Sequence, residues 1–167
     1  MKNKSGLIWI TGFSSSGKTT LARIVCSKLL NLGYNTIHLD GDDLRKILGK
    51  EKKYDRQSRI KLAKIYFKLC KYLSVKKIII VISSVSMFDE LYLWVKKHIP
   101  NSLQVYLKVP EKIRRSRDLK TKKIYLNNNL NNDEYDIPQN PDLIIQNYDT
   151  VTRIQAAKKI IKYYLNE

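Results

Sequence analysis

Leu7-Ile8-Trp9-Ile10-Thr11-Gly12-Phe13-Ser14-Ser15-Ser16-Gly17-Lys18-Thr19 decides how this chain is read. Its first five residues are apolar or β-branched and run into a glycine, the mark of a strand buried on both faces. Gly12 to Thr19 then matches G-x-x-x-x-G-K-[ST]. Beyond it, Leu21, Ala22, Val25, Cys26, Leu29 and Leu32 recur at helical spacing, and Gly33 is placed to end the helix they predict over Thr19 to Leu32. Strand, glycine loop and helix in that order are the context the motif requires. Glycines let successive N–H groups turn inward around phosphate oxygens, and the helix N-terminus adds the positive end of its dipole. Lys18 is placed to reach the β- and γ-phosphates, and the Thr19 hydroxyl to ligate Mg2+. The expected nucleotide contacts are Gly12, Ser14, Ser15, Ser16, Gly17, Lys18, Thr19 and Thr20. The expected ligand is a nucleoside triphosphate with Mg2+.

Outward from the loop, strands and helices alternate. Tyr34 to Leu39 predicts a second strand, followed by the acidic turn Asp40-Gly41-Asp42-Asp43 and a short helix over Leu44 to Leu48. Asp55 to Leu73 carries Ile60, Ala63, Phe67, Cys70 and Leu73 on one face of a long helix. Lys77 to Ile82 predicts a central strand, Leu91 to His98 a helix stopped by Pro100, and Leu103 to Val109 a fourth strand. Glu111 to Asp118 predicts a short helix, Asp142 to Gln146 a fifth strand, and Val151 to Leu165 a closing helix. This order predicts an α/β fold of three layers, a five-stranded parallel sheet flanked by helices, as one domain over residues 1–167. Lys120 to Gln139 is polar, Asn-rich and without period, which predicts a lid-like segment at about 120–139.

Composition narrows the class. The 167 residues hold 32 Lys+Arg against 15 Asp+Glu, a formal charge of +17, and are 43% hydrophobic. That share supports a packed core and excludes wholesale disorder. The longest apolar run, Ile78 to Ile82, is far short of the ~18–20 residues of a membrane span, and Met1 to Trp9 lacks a signal-peptide pattern. Cys26 and Cys70 fall on apolar helical positions, as small core residues do, without metal-ligand spacing. A cytoplasmic setting is expected. The basic excess is mostly Lys, beside abundant Ile, Asn and Tyr, residues that share AT-rich codons. Aromatic residues do not interleave with Lys and Arg along any predicted strand, which argues against nucleic acid as the partner. A nucleotide-gated nucleic-acid binder remains as the reading of another class. A steep loss of oligonucleotide affinity with salt would mark it.

The loop alone leaves several nucleotide-using classes open. No guanine-reading N-K-x-D segment follows, which weighs against a GTPase, and small size with a lid-like segment favours a kinase for a small molecule. Asp40-Gly41-Asp42-Asp43-Leu44-Arg45 lies at the carboxyl end of the second strand, where open α/β sheets bind ligands. A carboxylate there can accept a proton from an attacking hydroxyl or hold Mg2+ through water. A plain helix cap would need only one Asp.

Taken together, GFSSSGKTT, LDGDDLR, Asp55-Arg56 and Arg117-Asp118-Leu119-Lys120 resemble the adenylyl-sulfate kinase family. Its pattern runs G-[LF]-S-G-x-G-K-[ST], L-D-G-D-N-x-R, D-R-x-E-N-I-R-R, I-S-P-Y-R and R-D-P-K-G-L-Y, in that order. The resemblance implies transfer of the γ-phosphoryl of ATP to the ribose 3′-hydroxyl of a nucleotide. It implies that Asp40 is the base or the partner of a Mg2+-bound water, beside Lys18 as the other catalytic residue. It implies that Asp42 and Arg45 hold substrate, Arg56 its phosphate or sulfate end, Arg117 the adenine of ATP, and that Lys120 serves the lid. One of Arg114, Arg115 and Arg117 is expected on the transferring phosphoryl. Family members are often dimeric, which adds a homodimer to the expectations.

The departures from that pattern lie mostly on the acceptor side. Ser15 stands for a Gly, tolerable at negative φ, and Asp43 for an Asn. Arg59 stands for the Asn of E-N-I-R-R, and Lys61-Leu62 for the Arg pair after it. Ser86-Met87-Phe88-Asp89 lies where S-P-Y-R is expected, so an Asp replaces an Arg. The family lid, G-x-x-x-x-F-T-G-I-D-x-P-Y-E, is eroded around Asn127 to Pro138, and Tyr54 is the aromatic left in a shortened loop before Asp55. In the family two Phe rings sandwich the acceptor's adenine, and stacking contributes ~1–3 kcal/mol per base in related settings. Tyr54, Arg59, Ser86, Met87 and Phe88 are therefore the altered acceptor contacts. One branch of the family acts on cytidine diphosphoramidate, on the route to a capsular polysaccharide. The changes fit that acceptor, with adenylyl sulfate as the alternative. An acid such as Asp89 would welcome a terminal N–H2 donor and repel a sulfate.

Overall fold

The computed structural model describes residues 2–48, 55–121, 123–127, 135–148 and 151–166. Five strands, β1 (Gly6–Thr11), β2 (Thr36–Asp40), β3 (Ile79–Ser83), β4 (Ser102–Lys108) and β5 (Leu143–Gln146), form one sheet in the order β2-β3-β1-β4-β5. Every pairing is parallel. The helices are α1 (Lys18–Asn31), α2 (Gly41–Ile47), α3 (Arg56–Ser74), α4 (Asp89–His98), α5 (Glu111–Leu119), α6 (Ile124–Asn127) and α7 (Arg153–Leu165). The expected fold class is the observed one.

Strand alternation sorts the core into two layers. Ile8, Ile10, Val81, Val105 and Ile145 face α1 and α7, while Leu7, Trp9, Ile80 and Ile82 face α3 and α4. All of β1 and β3 is buried, which is why they read as unbroken apolar runs rather than alternating ones. Trp9 anchors the second layer, its ring centroid 4.5 Å from Phe67 and 5.1 Å from Tyr92. Each such buried side chain contributes ~1.5–3 kcal/mol.

The register builds the site. Asp40 on β2 and Ile10 on β1 both pair with Ser83 on β3, so the carboxyl ends of the three strands stop in one row. The phosphate loop leaves β1 two residues beyond that row.

Two segments differ from expectation. The acidic stretch after β2 is no separate turn, because α2 begins at Gly41. Asp40 is its N-cap, with extended backbone and a carboxylate that accepts from the Asp42 N–H. A Cβ at Gly41 would lie 3.0 Å from Ser84 Cβ and 3.3 Å from the Ser83 carbonyl, a tight approach that favours glycine at this helix start. The segment 120–139 holds the short helix α6. Tyr54, residue 122 and residues 128–134 of that segment lie outside the described residues.

Candidate active site

The loop between β1 and α1 is shaped by three residues with positive φ, Gly12 (146°), Ser15 (60°) and Gly17 (92°). A Cβ at Gly12 would meet the Leu107 carbonyl at 2.9 Å, and one at Gly17 the Asn147 side chain at 2.6 Å. Both glycines are therefore required by space as well as by backbone. Ser15 overturns the expectation of negative φ. It takes the left-handed conformation and is held there by its hydroxyl, which donates to Asp118 Oδ1 at 2.9 Å. Asp118 is fully buried and also accepts the Tyr125 N–H at 2.9 Å, so α5 and α6 brace the loop through one carboxylate.

The rest of the loop is held from outside. Tyr125 Oη donates to the Ser14 carbonyl at 3.2 Å, and Asn147 Nδ2 to the Ser16 carbonyl at 2.8 Å. Arg117 donates to the Asn147 carbonyl at 2.8 Å and lies 3.5 Å from the Ser16 carbonyl. Lys18 Nζ donates to the Phe13 carbonyl at 2.9 Å, so its ammonium lies across the loop mouth. The Ser16 hydroxyl is buried with no hydrogen-bond partner among the described residues, and Thr20 is exposed one residue past Thr19. The Ser14 and Ser16 carbonyls are thus held from outside, and the Ser16 N–H closes a turn onto the Phe13 carbonyl at 3.3 Å; the remaining loop N–H groups are the donors such a loop offers to phosphate oxygens.

Opposite the loop stands Asp40. Its Oδ2 accepts from Thr19 Oγ1 at 2.7 Å and from Ser83 Oγ at 2.8 Å, and its Oδ1 from the Asp42 N–H at 2.9 Å. His38 Nε2 lies 2.9 Å from Ser83 Oγ. Ser83 spends its hydrogen on Asp40, so His38 is the donor of that pair, which fixes its proton on Nε2. Burial alone would raise the Asp40 pKa, but the hydrogen bonds from Thr19, Ser83 and Asp42 N–H, with His38 nearby, hold it below the usual carboxylate range. Burial lowers the His38 pKa, against the pull of Asp40. An ionised Asp40 beside the Thr19 hydroxyl is a pair of hard oxygen ligands. That suits Mg2+, which takes one or two side chains and completes its shell with phosphate oxygens and water. Among the described residues no cluster of three or more His, Cys, Asp or Glu forms an all-protein cage.

The residues expected on the acceptor side gather on α2, α3 and the start of α4. Asp42 and Arg45 form an ion pair within α2. Arg56 donates to Asp136 Oδ2 at 2.6 Å, and Arg59 to Tyr135 Oη at 2.7 Å. Tyr135 stacks on Phe88, with centroids 5.6 Å apart and planes at 28°, and meets Phe13 of the phosphate loop edge-on at 6.0 Å. Phe88 is 1% exposed beneath Tyr135, and Met87 is fully buried against Phe13 and Tyr106. Ser86 is half-buried at the turn into α4, where its carbonyl accepts the Phe88 N–H. Asp89 is exposed and its N–H donates to Asp136 Oδ2 at 2.9 Å. Asp136 thus caps the first N–H of α4 from outside the helix, beside Asp89 and Glu90 in the helix's own first turn. Lys120 is exposed at the C-terminal end of α5.

The three arginines of α5 divide their work. Arg115 is exposed and pairs with Glu111, and Arg117 turns to the phosphate loop. Arg114 is 4% exposed, lies 4.5 Å over the Phe13 ring, and donates to the Val109 carbonyl and to Tyr125 Oη. Sequence reasoning missed Tyr125, Asn147, Tyr135, Asp136 and the His38–Ser83 pair. Asn147 carries a signal, being the polar residue just beyond a predicted strand. Tyr135-Asp136-Ile137-Pro138 carries another, the D-x-P of the family lid.

Comparison with known proteins agrees with this geometry. The model of the family described as adenylylsulphate kinase matches residues 4–146. The cytidine diphosphoramidate kinase of Campylobacter jejuni is 38% identical over 155 residues, spanning 88% of this chain and 89% of the relative. The adenylyl-sulfate kinase of Halothermothrix orenii is 31% identical over 172 residues, spanning 98% and 91%. The structure of the Mycobacterium tuberculosis APS kinase in complex with AMPPNP and APS superposes with a TM-score of 0.86 at 22% identity, covering 99% of this chain and all of that one. With a phosphate loop, a facing carboxylate and these matches, the chain belongs to the adenylyl-sulfate kinase family of phosphotransferases with a hydroxyl acceptor.

Proposed function

We propose that this kinase transfers the γ-phosphoryl group of ATP to the ribose 3′-hydroxyl of cytidine diphosphoramidate. The observation that carries the reading is the 38% identity to a cytidine diphosphoramidate kinase, set beside an acceptor side rebuilt around Arg56, Arg59, Phe88, Tyr135 and Asp136. The phosphate side keeps the family pattern at Lys18, Thr19 and Asp40, while the acceptor side departs from it.

The roles follow from chemistry. The loop N–H groups and Lys18 hold the β- and γ-phosphates, with Lys18 leaving the Phe13 carbonyl to do so. Thr19 and Asp40 are the residues to hold Mg2+. The bound ion neutralises charge on the phosphates. Asp40 Oδ1 accepts one N–H and keeps a lone pair for the acceptor's hydroxyl proton. As the new bond from the 3′-oxygen to the γ-phosphorus forms, the bond from that phosphorus to the bridging oxygen of ADP breaks, and the proton goes to Asp40. Arg117 steadies the loop from the side of β5. Arg56 is the cation for the acceptor's diphosphate-like end, and Asp42 with Arg45 borders it. On this reading the enzyme is cytoplasmic, serves phosphoramidate transfer to a capsular polysaccharide, and forms a homodimer that light scattering would detect.

The test is ADP release with Mg·ATP and a panel of acceptors, with Lys18→Ala as the control. Turnover of cytidine diphosphoramidate well above that of adenylyl sulfate is expected. Turnover confined to adenylyl sulfate would overturn the acceptor and leave the kinase assignment standing.

A further inference from the structure

His38, Asp40 and Ser83 share one face of the sheet. Ser83 continues the face of Ile79 and Val81, which pack toward α1, and Asp40 pairs with Ser83 as His38 does with Val81. His38 and Asp40, two apart on β2, therefore flank the Ser83 hydroxyl. That oxygen lies 2.9 Å from His38 Nε2 and donates to Asp40 Oδ2 at 2.8 Å. Ser83 is 2% exposed at the end of an otherwise apolar strand. Its single hydrogen goes to the carboxylate, so the lone pair it turns to the ring takes a donor from His38. Donation into Oγ polarises the O–H and strengthens its bond to Asp40. Thr19 Oγ1 donates to the same oxygen at 2.7 Å, so Oδ2 carries two hydroxyl bonds while Oδ1 accepts the Asp42 N–H.

We infer that His38 is a positioning residue for phosphoryl transfer, which through Ser83 fixes the Asp40 carboxylate so that Oδ1 is the oxygen left to take the acceptor's proton. In this role His38 neither gains nor loses a proton during the reaction; it holds the Ser83 hydroxyl in one rotamer. Without its N–H, the buried hydroxyl keeps an unfilled lone pair and the carboxylate loses part of what resists its rotation. A carboxylate free to turn exchanges Oδ1 and Oδ2, and the productive geometry is then populated for less of the time. The same reasoning separates the two histidines of the chain. His38 carries its hydrogen on Nε2. His98 Nδ1 lies 2.8 Å from the Trp94 carbonyl, which only accepts, so His98 carries its hydrogen on Nδ1. The inference rests on the proposed role of Asp40 at the transferring phosphoryl but not on which nucleotide is the acceptor.

The test joins spectroscopy and kinetics on the full chain. Long-range nitrogen–proton NMR correlation at about pH 8, above the ordinary histidine range, reports which ring nitrogen holds the hydrogen. Nε2 is expected for His38 and Nδ1 for His98, with His38→Gln assigning the two rings. Kinetics use Mg·ATP with cytidine diphosphoramidate or adenylyl sulfate, whichever is turned over. His38→Leu should lower kcat by about 2- to 10-fold, the contribution of one neutral hydrogen bond, with both KM values little changed. His38→Met is the second apolar variant, used if His38→Leu is not folded at the assay temperature. His38→Gln sets an N–H near the position of Nε2 and should recover most of the loss, which a packing role would not. Ser83→Ala removes the donor to the carboxylate itself and should lower kcat by about 10- to 150-fold. Adding His38→Leu to Asp40→Asn should lower kcat no further, because the link it breaks ends at Asp40. An unprotonated Nε2 in His38, equal losses in the apolar and Gln variants, or a full additional loss in the Asp40→Asn background would overturn the inference. A chain that turned over neither acceptor would refute the proposed function and leave the two tautomers to decide whether His38 orients Ser83, so the two failures are distinguishable.

Discussion

Ser15 gives a sharp quantitative test of how the phosphate loop is held. Its φ of 60° costs an L-residue ~1–2 kcal/mol. Its hydroxyl repays this through the bond to buried Asp118, worth ~1.5–3 kcal/mol for a hydrogen bond to a charged group. Ser15→Ala keeps the backbone cost and loses the bond, so stability should fall by about 1.5–3 kcal/mol. Ser15→Gly also loses the bond but relieves the strain. Part of that relief is cancelled by ~0.4–1 kcal/mol of extra freedom in the unfolded chain. The expected order is wild type, then Ser15→Gly, then Ser15→Ala, with about 0.5–1 kcal/mol between the two variants. For a chain of this size 1 kcal/mol moves Tm by ~2–4 °C, so calorimetry should show Ser15→Ala lower by roughly 3–12 °C. In an Asp118→Asn background the difference between wild type and Ser15→Ala should shrink. A glycine variant more stable than wild type would mean that strain outweighs the bond. Equal Tm values for the alanine and glycine variants would mean that the left-handed backbone costs no more than the ~0.4–1 kcal/mol of extra freedom glycine gives the unfolded chain.

Three further outcomes are expected. Asp40→Asn should lower kcat by about 10²–10⁴ while ATP-analogue binding survives, and a kcat within a few-fold of wild type would remove Asp40 from the chemistry. Asn147→Ala leaves the buried Ser16 carbonyl without its 2.8 Å donor, so KM for ATP should rise by roughly 5- to 150-fold, the equivalent of ~1–3 kcal/mol, with KM for the acceptor little changed. Equal rises in both would place Asn147 outside the ATP half. Denaturant unfolding followed against pH should show two separate losses of stability on acidification. The folded His38 pKa lies below 6.5, so the unfolded state takes up protons first and stability declines as pH falls through the unfolded value toward the folded one. The Asp40 contribution is complete above about pH 4 and is lost as pH falls through its depressed folded pKa. His38→Gln should flatten the first decline and leave the second, and an unchanged profile would refute the assignment.

Legibility in the sequence followed the range of the interactions. β1, α1 and α3 announce themselves because their periodicity is local and their faces are fully buried. The phosphate loop is equally local, eight consecutive residues whose chemistry is backbone chemistry. The start of α2 was missed because an Asp-Gly pair reads as a turn, and only the approach of Ser84 to Gly41 shows why glycine begins a helix there. The bracing of the loop was invisible for another reason. Ser15 finds its partner 103 residues away and Ser16 finds Asn147 at 131, separations at which no spacing rule operates. Met87 and Phe88 are expected as acceptor contacts from their place along the chain, but burial against Phe13 and beneath Tyr135 decides what they can touch, and that is set by residues distant in sequence.

The division of labour in the sheet explains how such a fold can change acceptor without losing its donor. The carboxyl ends of β1, β2 and β3 stop in one row, and that row fixes Thr19, Asp40 and Ser83 against one another. A substitution there disturbs three strands at once, and with them both layers of the core. The proposed acceptor contacts hang instead from the first turns of α3 and α4 and from residues 135–136, where Tyr135 meets Phe13 of the loop edge-on. Arg59 for Asn or Tyr135 for Ile changes what can stack and what can be hydrogen-bonded there, and alters no pairing in the sheet. Specificity can therefore drift on a fixed phosphoryl-transfer frame. The cost of each drift is paid locally, in contacts worth ~1–3 kcal/mol each.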